Sequence, residues 1–253
     1  MGDTNKKHDP LNSTMSLGDH LEELRARLIL ALIGLAAGAV ICLFFGPAII
    51  AFIQKPYSEL MPGRPLIALA PADAFVGYMK VALISGLIIS SPWVFYQLWM
   101  FVSAGLYPRE RRYVRLAVPF SAASFVTGAL FFIYVVAPIS LAFFLKFGEI
   151  IDVSPNWTFQ KYVSFITILM LVFGLGFQTP IAIFFLSKTG LVSIAALRRS
   201  RKYVLLGVFV VAAIATPPDV ISQITLAVPL YLLFELGILL SYVAHRKKKS
   251  HDT

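Results

Sequence analysis

An all-α, polytopic membrane fold with six transmembrane helices and both termini in the cytoplasm is predicted by three observations. The first is composition: 58% of the 253 residues are hydrophobic and only 14% are charged, where a soluble domain carries about a quarter charged residues. The second is that the apolar residues gather into six segments bounded by polar loops. The third is where the cations fall. Seventeen of the twenty-two Lys and Arg residues lie in four short stretches, Lys6–Arg27, Arg109–Arg115, Lys188–Lys202 and Arg246–Lys249. The intervening polar segments, Lys55–Lys80 and Lys146–Lys161, hold the other five. Basic loops are retained on the cytoplasmic side, so this alternation sets the topology.

The whole chain reads as a single membrane domain, with a cytoplasmic segment over 1–27, a six-span bundle over 28–243 and a cytoplasmic tail over 244–253. The first segment opens on Ser16-Leu-Gly-Asp19, a helix-start pattern. Leu17, Leu21, Leu24 and Leu28 then share one face at helical spacing. This predicts an amphipathic helix on the cytoplasmic surface that runs into the membrane.

The spans are expected near Leu28–Phe45, Val81–Phe101, Leu116–Pro138, Val163–Leu186, Tyr203–Ala215 and Ile221–Val243. The first is longer than the roughly 7–15 apolar residues of a cleavable signal and is read as a permanent span. The fifth is short: thirteen residues at ~1.5 Å each cover about 20 Å, less than a ~30 Å hydrocarbon core. The first outer loop, Gly46–Tyr78, is rich in proline. It is expected to be ordered but not helical throughout, with Ala48–Ile53 on the membrane surface. The second, near Asp152–Trp157, places a tryptophan at the interface. Pro92, Pro119, Pro180 and Pro229 fall inside spans, where each removes a backbone hydrogen bond and bends its helix into a concave bundle.

Five places carry chemistry. Glu23 stands four residues before Arg27, a spacing that forms an intrahelical ion pair of about 0.3–0.5 kcal/mol. Glu110 is the single acid of the basic loop Arg109–Arg112, either balanced by its neighbours or open to a guanidinium from a partner. Gln178, in Phe173-Gly-Leu-Gly-Phe-Gln-Thr-Pro180, is an amide at membrane depth and must face the bundle interior. Gly174 and Gly176 beside it would admit another backbone. Asp219, in Thr216-Pro-Pro-Asp219, stands at a capping position for the sixth span. Glu235 is an intramembrane acid, a functional candidate by default and one with a raised pKa if unpaired.

Taken together these segments resemble the TatC family, the multi-spanning core of the twin-arginine translocase. The resemblance runs from Leu17 to Tyr242. It rests on His20-Leu-Glu-Glu-Leu-Arg-Ala-Arg-Leu28, Ser91-Pro-Trp-Val-Phe-Tyr-Gln-Leu-Trp99, Gly105-Leu-Tyr-Pro-Arg-Glu-Arg-Arg112, Phe173–Pro180 and Thr216-Pro-Pro-Asp-Val-Ile-Ser-Gln223, in family order.

The resemblance implies a receptor of the bacterial inner membrane. With TatA- and TatB-type single-span partners, in a homo- and hetero-oligomer, it would move folded proteins across using the proton motive force. The family's signal-binding carboxylates fall on Glu23 and Glu110, with Arg25 and Arg27 beside them holding the acids charged until a signal peptide competes. Gln178 and Pro180, Pro56 in the first outer loop, Asp219 and Glu235 become candidates for partner-helix contact or assembly. Many family members have Glu where this chain has Gln178, so a protonation change at that position is not available here.

The chief alternative is an ion-coupled transporter of small solutes using Asp219 and Glu235, which should show internal repeats; none is visible. An intramembrane protease lacks its motif, since all four histidines lie outside the spans and no His-Glu-x-x-His occurs. The net charge of +9 does not point to nucleic acid, because it sits in juxtamembrane clusters. With one cysteine, Cys42, there is no intrachain disulfide and no thiolate metal site. No cofactor, metal or catalytic residue is expected.

Overall fold

The computed structural model describes residues 17–105, 111–153, 156–216 and 220–249. Among these the architecture is helical, and β pairing is limited to an isolated parallel bridge between Ile67 and Thr158. Five helical stretches are long and apolar enough to cross a bilayer: His20–Phe44, Asp73–Ala104, Val114–Ile150, Phe159–Lys188 and Val220–Ala244.

Helix α1 (Leu17–Phe44) is continuous. The expected amphipathic segment and the first span are one rod, because nothing between Asp19 and Ile33 breaks a helix. Leu21, Leu24 and Leu28 remain exposed on it, at 64%, 40% and 56%, so this leucine face is not covered by the rest of the chain.

Helix α2 (Gly46–Leu60) carries Pro56 within it and packs on the end of the bundle where α1 stops and α3 begins. Its Ile53 and Tyr57 are buried, and the Tyr162 hydroxyl donates to the Ile53 carbonyl at 2.8 Å. The stretch expected on the membrane surface thus turns one face into the protein core. Beyond it the chain is irregular to Ala72.

Helix α3 (Asp73–Ala104) spans the molecule with Pro92 inside. Asp73 starts it: its buried carboxylate accepts from the amides of Leu69 and Ala70 at 2.9 and 3.0 Å. Helix α1 packs along α3 through glycines. A Cβ on Gly38 would sit 2.6 Å from the Gly86 carbonyl oxygen, and one on Gly86 would sit 2.5 Å from the Ala39 amide nitrogen. Gly34, Gly38 and Gly86 thus form a seam of small residues, which in lipid lets dispersion contacts hold two helices together. Cys42 is fully buried.

Helix α4 (Arg111–Phe131) runs through a π-helical turn, Phe132–Val136, into α5 (Ala137–Ile150). The third span was expected to stop at Pro138. Instead Pro138 opens α5, and the π turn absorbs the extra residue that its ring demands. Val114–Ile150 is 37 residues, about 55 Å at ~1.5 Å each. Helix α5 therefore extends past a ~30 Å core on the same side as α2.

The fourth span is interrupted. Helix α6 (Phe159–Gly176) ends at Phe177, and α7 (Thr179–Lys188) restarts with Pro180 in its first turn. Pro180 is thus a helix-start proline and not an interior one, the position where its missing N–H costs least. A short α8 (Ile194–Arg199) leads to α9 (Arg201–Ala215) and α10 (Val220–Lys249). Helix α9 is 15 residues, about 22 Å, and remains the short one.

A small apolar cluster around Ile183, Leu197, Phe234 and Ile238 packs α7 and α8 on α10, and two larger apolar cores hold the rest of the described bundle. The larger, around Ile53, Val81, Phe132, Ile166 and Phe173, lies toward the α2 end. A smaller one, around Phe95, Trp99, Phe125 and Phe185, lies toward the end where α3 stops and α4 begins.

Candidate functional site

The start of α1 and the end of α3 meet at one end of the bundle. His20 stacks on Phe101, with ring centroids 4.6 Å apart and planes at 27°. A Cβ on Gly105 would lie 3.7 Å from His20 Cε1. One helical turn along α1, Arg27 Nε donates to Glu23 Oε1 at 2.7 Å. The same guanidinium donates from Nη1 to Gln97 Oε1 at 3.1 Å. Gln97 is 1% exposed, so its amide is a fixed point on α3. The result is a chain of three side chains, Glu23–Arg27–Gln97, that ties the two helices by polar contact where the glycine seam ends.

Glu23 itself is only partly covered, with its side chain 29% exposed. Its Oε1 is occupied; Oε2 has no hydrogen-bond partner among the described residues. Arg25 points to the exposed side. Glu110 lies outside the described residues; it belongs to the segment that joins α3, which ends beside His20, to α4.

Deeper in the bundle a second polar group forms around α4. Trp99 Nε1 donates to Ser121 Oγ at 2.9 Å. Gln178 Nε2 donates to the Ser121 carbonyl at 2.8 Å. Ser124 Oγ donates to the Phe177 carbonyl at 2.8 Å. Gln178 is half-buried at the interruption between α6 and α7, and one of its two amide N–H donors is used inside the chain. The neighbouring glycines meet side chains and not a backbone: Gly174 faces Phe125 and Gly176 faces Leu230.

Glu235 is not an isolated intramembrane acid. Arg201 Nη2 donates to its Oε2 at 2.7 Å and the Tyr231 hydroxyl to its Oε1 at 3.0 Å. Pro56 sits in α2, next to a small notch lined by Phe52, Tyr134 and Pro138. Asp219 lies outside the described residues. No cluster of His, Cys, Asp and Glu able to hold a metal occurs among the described residues.

Gln97, His20 and Ser121 escaped sequence reasoning. Gln97 could have been found by the argument applied to Gln178, since both are amides in apolar surroundings. The other two carry no such signal.

Among the described residues the arrangement offers a partly used carboxylate to a cation. The family profile described as "Sec-independent protein translocase protein (TatC)" matches residues 19–229. The chain belongs to the TatC family.

TatC from Desulforapulum autotrophicum is 37% identical over 236 residues, covering 92% of this chain and 87% of the relative. TatC from Helicobacter pylori is 36% identical, covering 93% and 91%, and TatCy of Bacillus subtilis is 34% identical, covering 92% and 91%. A crystal structure of the twin-arginine translocase receptor TatC superposes with a TM-score of 0.82 at 35% identity, over 89% of this chain and 99% of that one. This TatC chain is thus a multi-pass membrane component of the twin-arginine translocase, a receptor protein and not an enzyme.

Proposed function

We propose that this TatC chain is the receptor for twin-arginine signal peptides, and that Glu23 and Glu110 take the two guanidinium groups. The observation that carries this reading is the half-used carboxylate of Glu23: Arg27 engages Oε1, while Oε2 is free of partners among the described residues. A carboxylate holds a planar guanidinium fork better than an ammonium, which favours Arg-Arg over Lys-Lys. Arg27, steadied by Gln97, holds Glu23 in place, and an incoming arginine adds to or displaces it. The chain would act in the bacterial inner membrane with TatA- and TatB-type single-span partners, drawing on the proton motive force. Gln178 and Pro180, with Pro56, Asp219 and Glu235, are the proposed partner-contact and assembly residues.

The test is binding of an Arg-Arg signal peptide and its Lys-Lys variant to the purified protein. Glu23→Gln and Glu110→Gln should each lower Arg-Arg affinity by roughly tenfold or more, the value of about 1.5–3 kcal/mol for a hydrogen bond to a charged group. Lys-Lys binding should change little, and raised salt should weaken the wild-type interaction. Equal losses for both peptides would refute guanidinium pairing. Thermal stability of Glu23→Gln should stay close to wild type, since a partly exposed i,i+4 pair is worth about 0.5 kcal/mol or less.

A further inference from the structure

Basic residues are depleted on the outer side of a membrane protein, so those present at the α2 end call for an account. Lys55 pairs with Glu59 at 3.9 Å. Arg64 lines a polar pocket with Glu149 and Asp152. Lys80 and Lys161 have no carboxylate partner among the described residues.

These two lysines are close together. Lys80 lies seven residues into α3, about 10 Å along the helix from Asp73. Its ammonium donates to Ser164 Oγ on α6 at 2.8 Å. Lys161 is three residues before Ser164 and shares its exposed stripe, one turn nearer the helix start. Two cations and a hydroxyl therefore gather near the α2 ends of two helices long and apolar enough to span the membrane, where a charge is costly and marks a function by default.

The Lys80 stem also forms the edge of an apolar groove of about 370 Å³ between α1 and α3. Leu43 and Val76 line its mouth and Ala39, Met79 and Leu83 its depth, so it runs along the helices from the surface into the hydrocarbon.

We propose that Lys80, Lys161 and Ser164 seat the phosphate of an anionic phospholipid from the leaflet at the α2 end, with one acyl chain in the α1–α3 groove. The charge of the lysines selects an anionic headgroup, and the direction of the groove suits a chain entering from that headgroup. The site is remote from Glu23 and independent of signal binding.

The test is native mass spectrometry of the purified full chain titrated with phosphatidylglycerol or with phosphatidylcholine of the same acyl chains. Wild type should retain phosphatidylglycerol in preference. Lys80→Gln and Lys161→Gln should each cut that preference roughly fivefold, the effect of one lysine near an anionic surface, and Lys146→Gln on α5 should leave it unchanged. Lys161, on an exposed turn, carries the test should Lys80→Gln fail to fold. Equal binding of the two lipids to wild type overturns the proposal. So does a preference that survives both lysine substitutions, which would assign it to the basic loops at the other end.

Discussion

A single hydroxyl group shows how polar atoms work inside this protein. Ser121 Oγ accepts from the Trp99 indole while its carbonyl accepts from Gln178. Trp99 is buried, packed on Phe185 at 4.7 Å. In Ser121→Ala the indole N–H loses its acceptor where no water replaces it, and stability should fall by about 1–3 kcal/mol. A thermal melt in detergent would read this as a lowered midpoint; an unchanged midpoint would mean that the indole finds another acceptor. Residues of this kind are nearly invisible in the sequence. Glu23 and Gln178 stood out because each is a polar group against an apolar background. The partners of Trp99 and Arg27, 22 and 70 residues away, leave no local pattern. The same holds for Glu235, whose partner Arg201 stands 34 residues earlier.

Among the elements, α1 depends on α3 far more than on any other helix, and the glycine seam makes that contact possible. Gly86→Leu would drive a side chain into the α1 backbone at Gly38 and Ala39. Overpacking of this kind costs about 1–3 kcal/mol. Displacing α1 should also reduce Arg-Arg peptide binding, although Gly38 lies about 22 Å along the helix from Glu23. Gly207→Ala in α9, where a Cβ meets nothing within 4 Å, is the matched control and should do neither. Peptide affinity and melting temperature measured on both variants check this. Hydropathy alone located the five long apolar stretches, because each is an apolar run between charges. It misjudged their ends. Apolar composition continues through Pro138 into α5, and a proline in a sequence does not say whether it sits inside a helix, as Pro92 does, or starts one, as Pro180 does.

For the molecule as a whole, the short α9, taken as the fifth of six spans, would make the protein sensitive to bilayer thickness. A 22 Å helix in a ~30 Å core must thin the membrane around it or draw in flanking polar residues. Reconstitution in vesicles of increasing acyl length should therefore lower stability steadily on the thick side. Inserting three leucines after Val211 should move the optimum toward thicker membranes. Melting temperature across the lipid series measures both, and a flat series for wild type would show that α9 is matched by its neighbours and not by lipid.

The interruption at Phe177 bears on how the chain is made. A span with a gap in its hydrogen-bond ladder is a poor lodger in hydrocarbon by itself, since an open carbonyl there costs several kcal/mol. Ser124 on α4 supplies a donor to the Phe177 carbonyl, and the Gln178 amide closes on the Ser121 carbonyl. The third and fourth spans are thus chemically incomplete until they touch. During biosynthesis the nascent fourth span gains by lingering at the insertion machinery until the third is beside it, so the two should leave for the lipid as a hairpin.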